Sequence, residues 1–108
     1  MCGIIGLFDI KDEEKSRSEA LKMARKIRHR GPDWSGSFSS NNCVLIHERL
    51  SIVDVENGAQ PLFDTKTKRV LAVNGEIYNH KIVAENLKNY HNWQTNSDCE
   101  VLLYLYDE

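Results

Sequence analysis

MCGIIGLFD, residues 1–9, opens the chain with an apolar, β-branched run that glycine interrupts twice, at Gly3 and Gly6. The pattern predicts a buried strand at the very N-terminus, with glycine letting another backbone approach closely. Such a strand carries Cys2 at its start, and removal of Met1 would make Cys2 the first residue. A free thiol, with pKa near ~8.5, is mostly protonated at neutral pH, so a nucleophilic cysteine needs a base. An N-terminal α-amine, unperturbed pKa roughly 7.7–8.0, is a base carried by the same residue. The ordinary reading of a lone cysteine in a first strand is an inert core thiol. The remaining residues decide between the two.

The rest of the composition narrows the class of protein. With 108 residues, 41% hydrophobic and 28% charged, the chain has room for one ordinary domain or part of one. Fourteen Lys and Arg against sixteen Asp and Glu leave a formal charge of -2, which gives no general attraction to nucleic acid or to acidic membranes. The one basic cluster, Arg25, Lys26, Arg28, His29 and Arg30, reads as a solvated helix C-terminus, where cations oppose the helix dipole. The apolar stretch at residues 4–8 is too short for a membrane span and lacks the basic flank of a secretory signal, so a cytoplasmic location is expected. Cys2, Cys43 and Cys99 are odd in number and widely spaced, which suits reduced thiols and provides no CxxC zinc pair. The histidines His29, His47, His80 and His91 fall in separate segments, and no metal site is expected.

Along the chain, Ala20, Met23, Ala24 and Ile27 recur at helical spacing over residues 16–28, and Gly31 followed by Pro32 stops that helix. RGPDWSG, residues 30–36, reads as a polar loop, and residues 37–40 and 43–47 as consecutive strands. After a loop carrying Asn57, Gly58 and Pro61, RVLAV at residues 69–73 is a third strand. Val83, Leu87 and Tyr90 stand at i, i+4 and i+7 and mark a short helix entered near Asn79. SDCE, residues 97–100, has the spacing of a capping box, Ser97 with Glu100, ahead of Val101, Leu102 and Leu105. This last pattern reaches Asp107 and Glu108 without a stop signal and reads as truncated. There is no internal repeat or low-complexity tract.

Three segments hold residues able to do chemistry. In VNGEIYN, residues 73–79, Asn74 and Gly75 form a strong hairpin-turn signature. The same pair, a side-chain amide beside a glycine N–H, also supplies the two donors of an oxyanion hole, with the Glu76 carboxylate adjacent. In HERLSIVD, residues 47–54, Arg49 follows a strand and could hold a carboxylate bidentately, or could form a surface ion pair with Glu48 or Asp54. Asp98, in the first turn of the last helix, stabilises that helix with or without a ligand. GIIG at residues 3–6 matches a KH-type loop only formally, since its isoleucines belong in a core, and no Walker or Rossmann glycine pattern occurs.

Taken in order, MCGIIGLFD, RHRGPDWSG, HERLSIVD, LAVNGEIYNH and SDCE closely resemble the N-terminal glutaminase domain of the glutamine-dependent asparagine synthetases, a family of class II amidotransferases. The glucosamine-forming and purine-pathway branches typically carry a TRWATHG-like segment where this chain has HERLSIVD. The resemblance spans residues 1–108 as a single, partial glutamine amidotransferase type 2 domain. It implies an α+β fold of the N-terminal-nucleophile hydrolase type, a four-layer αββα sandwich with only its first part present. It further implies that Cys2 attacks the side-chain amide of L-glutamine, giving a thioester and ammonia, and that Asn74 and Gly75 hold the oxyanion. Arg49 would bind the substrate carboxylate and Glu76 and Asp98 its α-ammonium group. Backbone atoms of Leu50, Ser51, Ile52 and Val53 would line the pocket. No cofactor is implied here, since ATP and magnesium belong to a synthetase domain outside this segment. Expected partners are L-glutamine and that synthetase domain, with a homodimer as an open assembly, and neither nucleic acid nor membrane. The competing reading is a non-catalytic, truncated glutamine-binding or interaction module.

Overall fold

The first strand, β1, is Gly3–Phe8 in the computed structural model, which describes residues 1–50, 58–88 and 92–108. It pairs antiparallel with β3, Cys43–Arg49, from Gly3 opposite Glu48 to Phe8 opposite Cys43. The other edge of β3 is taken by β2, Trp34–Ser39, so the sheet runs β1-β3-β2. Trp34, Ser35 and Gly36, expected in a loop, belong to β2 because each has a partner in β3, beginning with Trp34 opposite Arg49. A paired backbone outweighs the turn preference of Ser and Gly. β1 is also less buried than expected: on its even-numbered face Ile4 is half-buried, Gly6 is exposed and Phe8 is 70% exposed.

One helix, α1, Glu13–Ile27, covers the other face of this sheet. It starts earlier than the apolar spacing suggests because Asp12 caps it, accepting from the Lys15 N–H at 3.0 Å, with Glu13 and Glu14 in the first turn. Ala20 and Ala24 pack on Val44 and Ile46, with Ile5, Leu7 and Ile10 around them. Burying Val44 and Ile46 contributes about 1.5–3 kcal/mol each. Met23, counted with this face by spacing, is 44% exposed, since small residues at i and i+4 already bring helix and sheet together. A 3₁₀ turn, Arg28–Arg30, leads to Gly31, which lies so close to the Glu48 carbonyl that a Cβ would overlap it.

A second, smaller sheet pairs β4, Leu62–Phe63, with β5, Val70–Leu71. Among the described residues, the strand expected over residues 69–73 is paired over Val70 and Leu71 alone. Beyond it lie α2, His80–Glu85, then a 3₁₀ turn, Asp98–Glu100, and α3, Val101–Leu105. Leu62, Cys99, Leu103 and Tyr104 form a second core with Leu71, Val73 and Leu87. Leu87 lies past the end of α2, and Tyr90, expected on the same helix, is outside the described residues. Phe38 of β2 stacks on Phe63 of β4 with ring centroids 6.1 Å apart, joining the two sheets. The order α1, large sheet, small sheet, α2 with α3 makes this an α+β chain with the α-β-β-α sequence of layers.

Half of the expected capping box forms. Ser97 Oγ accepts from the Cys99 N–H at 3.3 Å, but Glu100 does not return to Ser97. Its carboxylate instead accepts from the N–H groups of Gln94 and Thr95, both at 2.7 Å, and from the Tyr104 hydroxyl at 3.0 Å. A fully buried carboxylate is best satisfied by several donors at once, and the chain entering the helix supplies them.

Candidate active site

Alternation along β3 turns Val44, Ile46 and Glu48 toward α1 and His47 and Arg49 toward the second sheet. On that side lies a cleft of about 320 Å³, to which Cys2, Arg49, Leu50, Asn74, Gly75, Glu76 and Asp98 all contribute. Seven of the ten residues singled out from the sequence therefore converge. The other three, Ser51, Ile52 and Val53, lie outside the described residues.

Cys2 enters the cleft just ahead of β1. Its sulfur faces the backbone of Leu50, accepting from the Leu50 N–H at 3.3 Å and donating to the Leu50 carbonyl at 3.6 Å. The Cys2 carbonyl accepts from Arg30 Nε at 3.2 Å, which gives one member of the basic cluster a structural task. Met1 lines the mouth of the cleft and is 72% exposed. Arg49 is 5% exposed, and it points away from Glu48, whose carboxylate accepts from Ser35 Oγ on the α1 side. Strand alternation thus sets the two on opposite faces of the sheet, while Asp54 lies outside the described residues.

Asn74 and Gly75 do not turn a hairpin. No glycine among the described residues has a positive φ, which a type I′ turn requires at both central positions. The segment instead leaves β5 in open form, held by side chains. The Val73 N–H donates to Gln60 Oε1 at 2.6 Å, and the Val73 carbonyl accepts from His47 Nε2 at 2.8 Å. Two residues on, the Cys99 thiol donates to the Gly75 carbonyl at 3.6 Å and the Ile77 N–H donates to Asp98 Oδ2 at 2.5 Å. Asn74, Gly75 and Glu76 are left exposed along the cleft wall.

The electrostatics separate the groups that titrate. Burial lowers the pKa of His47 below its ordinary 6.5, against the opposing effect of its bond to Val73, and the positive charge of Arg49 lowers it further. A carbonyl can only accept, so Nε2 carries the proton and neutral His47 is the Nε2–H tautomer. Burial, reinforced by the charge of Asp98, pushes the Cys99 thiol up to about 12. At the rim, the Tyr78 hydroxyl bonds to Glu76, which raises the phenol above its usual range.

His47, Gln60, Tyr78, Ser97 and Cys99 line the cleft without having been singled out as site residues. For His47 a signal existed, its two-residue spacing from Arg49 on one strand face. Gln60 and Cys99 join only through contacts made across the fold. Among the described residues no group of three or more His, Cys, Asp or Glu is arranged to hold a metal ion. No helix of those residues is long and apolar enough to cross a membrane.

This arrangement offers a thiol, two amide-type donors, a buried arginine and two carboxylates around one small cavity, a set suited to a zwitterionic amino acid with a reactive side-chain carbonyl. Comparison with known proteins agrees in kind. The chain is 56% identical over 109 residues to asparagine synthetase B [glutamine-hydrolyzing] of Escherichia coli (strain K12), covering 100% of this chain and 20% of that protein. It is 53% identical to a probable asparagine synthetase [glutamine-hydrolyzing] of Schizosaccharomyces pombe, again over 100% of this chain and 20% of the other. Against asparagine synthetase [glutamine-hydrolyzing] 3 of Arabidopsis thaliana the identity is 49%, over 100% and 19%. The chain thus spans about a fifth of the length of these relatives. The family model described as a glutamine amidotransferase domain matches residues 1–108 throughout, and the chain belongs to that family.

Proposed function

We propose that this chain hydrolyses L-glutamine to glutamate and ammonia through a thioester on Cys2, as the glutaminase part of an asparagine synthetase. The observation that carries the proposal is the convergence of Cys2, Arg49, Asn74, Gly75, Glu76 and Asp98 on one cleft. With Met1 removed, the α-amine of Cys2 takes the thiol proton and the sulfur attacks the side-chain amide carbon. The oxygen gains negative charge and is held by the Asn74 amide and the Gly75 N–H, two donors aimed at the charge that develops there. Collapse of this intermediate breaks the C–N bond, and the α-ammonium returns its proton to the leaving nitrogen, which departs as ammonia. Water, deprotonated by the α-amine, then attacks the thioester and releases glutamate.

Arg49, buried at the end of β3, binds the substrate carboxylate, while Glu76 and Asp98 meet its α-ammonium group. Asp98 is held in place by the Ile77 N–H, which donates to its Oδ2. Leu50 borders the same pocket, and we extend that role to the backbone of Ser51, Ile52 and Val53, which lie outside the described residues. We further infer one glutamine amidotransferase type 2 domain over residues 1–108, a cytoplasmic location, and a synthetase domain as partner, where ATP and magnesium act. A homodimer is the assembly to test.

A glutaminase assay on the chain, with calorimetry against glutamine, tests the reading. Turnover that disappears in Cys2→Ala while glutamine still binds is the expected result. Binding without turnover in the parent chain would favour a non-catalytic glutamine-binding module.

A further inference from the structure

We propose that His47 and Gln60 are positioning residues that set the Asn74–Gly75 donor pair by clamping the Val73 peptide from both of its polar sides. The inference rests on the oxyanion role given to Asn74 and Gly75 above. Its starting point is the early end of β5 at Leu71. Among the described residues no strand partner holds the chain beyond Leu71, yet the two residues meant to meet the oxyanion follow soon after. Val73, immediately before Asn74, has both backbone groups satisfied by side chains, its N–H by Gln60 at 2.6 Å and its carbonyl by His47 at 2.8 Å.

Both clamping residues are themselves fixed. His47 is completely buried in the middle strand of the larger sheet, and Gln60 is 8% exposed. In the β2–β3 register His47 stands opposite Gly36, and the Gln60 backbone carbonyl rests where a Cβ on Gly36 would be. The absence of that Cβ lets the Gln60 backbone reach the strand beside His47. Two residues beyond His47 the same strand delivers Arg49, followed by Leu50, whose backbone touches the Cys2 sulfur. The nucleophile and the donor pair are thereby referred to one rigid strand, the nucleophile through Leu50 and the donors through His47 and Val73.

His47 is not itself placed for proton transfer to substrate. Its Nε2 is committed to Val73, and Nδ1 is buried without a hydrogen-bond partner among the described residues. What it can do is hold distance. Donors must sit within a few tenths of an ångström of their place, and a misplacement of about 1 Å can cost on the order of 10²-fold in rate.

Glutaminase kinetics on H47L, H47Q, Q60L and Asn74→Ala, with amide hydrogen exchange at Val73 and Asn74, form the test. H47L and Q60L should each lower kcat by on the order of 10- to 10²-fold, with KM for glutamine within about threefold. H47Q, whose amide reaches to about the Nε2 position, should recover most of kcat. The double variant H47L/Q60L should lose less than the product of the single losses, because both act on one peptide. Exchange at Val73 should quicken in Q60L. A reduced kcat in Asn74→Ala with unchanged kcat in H47L and Q60L overturns the clamp alone. Equal loss in H47Q and H47L, or a rise in KM at constant kcat, also overturns it by making His47 a packing residue. Unchanged kcat in Asn74→Ala overturns the oxyanion reading and the clamp with it. If H47L does not fold, H47Q and Q60L decide the matter by the same kcat and exchange readouts.

Discussion

The imidazole of His47 donates from Nε2 to the carbonyl oxygen of Val73, 2.8 Å away, and so ties the middle strand of the larger sheet to the segment leaving the smaller one. Each sheet has its own apolar core, on α1 in one case and on α3 in the other. The cleft lies between them, and a buried polar bond at its floor is worth more to register than to raw stability.

This bond gives the fold a pH dependence. His47 is neutral when folded, with a pKa lowered from 6.5 by burial and by Arg49, while bonding to Val73 and the charge of Glu48 oppose the shift. Below 6.5 the unfolded chain binds a proton that the folded chain resists. Its contribution is therefore full above 6.5 and is lost as the pH falls from there to the folded value. Urea midpoints should fall between pH 7 and pH 5, and H47Q should flatten that slope. An identical slope in H47Q would assign the effect to other groups.

A glutamine-analogue electrophile should label Cys2 ahead of Cys43 and Cys99. Cys99 is 2% exposed, and burial pushes its thiol up to about 12, so it remains a hydrogen-bond donor to Gly75 and not a nucleophile. Cys43 begins β3, and Arg49 ends it at the cleft, a separation of about 20 Å. Peptide mass spectrometry reads the site directly and should also find Met1 removed in active protein. Active protein that retains Met1 would exclude the α-amine as base.

Asn74→Ala and Arg49→Lys should separate rate from binding. The first removes the proposed donor to the oxyanion and should lower kcat by on the order of 10² to 10³. The second keeps the charge but loses the planar fork, and should raise KM by about tenfold or more with a smaller effect on kcat. Steady-state kinetics in glutamine distinguishes them, and a kcat unchanged in Asn74→Ala removes that residue from the oxyanion hole.

Glu100→Ala should destabilise the second core without touching the cleft. Its carboxylate accepts from the Gln94 and Thr95 N–H groups, from Thr95 Oγ1 and from Tyr104, all of which would be left without this acceptor. A loss of roughly 3 kcal/mol in denaturant unfolding is expected. A loss below about 1 kcal/mol would mean that water replaces the carboxylate.

Much of this could be read along the chain. The N-terminal strand, the helix stopped at Gly31, the strand beginning at Cys43, which runs to Arg49 and not only to His47 as expected, and the Ser97 cap each follow from local rules of periodicity and capping. The candidate site residues were legible as a set of ordered motifs, and those lying in the described residues meet in one cleft. Local rules misjudged positions where a distant partner outbids a local preference. Trp34, Ser35 and Gly36 look like a loop but have β3 beside them, and Asn74-Gly75 looks like a hairpin turn but is drawn out by contacts on either side.

Residue type and spacing thus determined which groups are available: a thiol at position 2, an arginine following a strand, an amide beside a glycine, and carboxylates at 76 and 98. Only the tertiary structure decided that Val73 would be held by Gln60 and His47, and that Cys99 would be a buried donor to Gly75. The physical reason is one of range. Periodicity and capping act within a few residues, whereas a buried peptide group must find its partner wherever the packed sheets supply one.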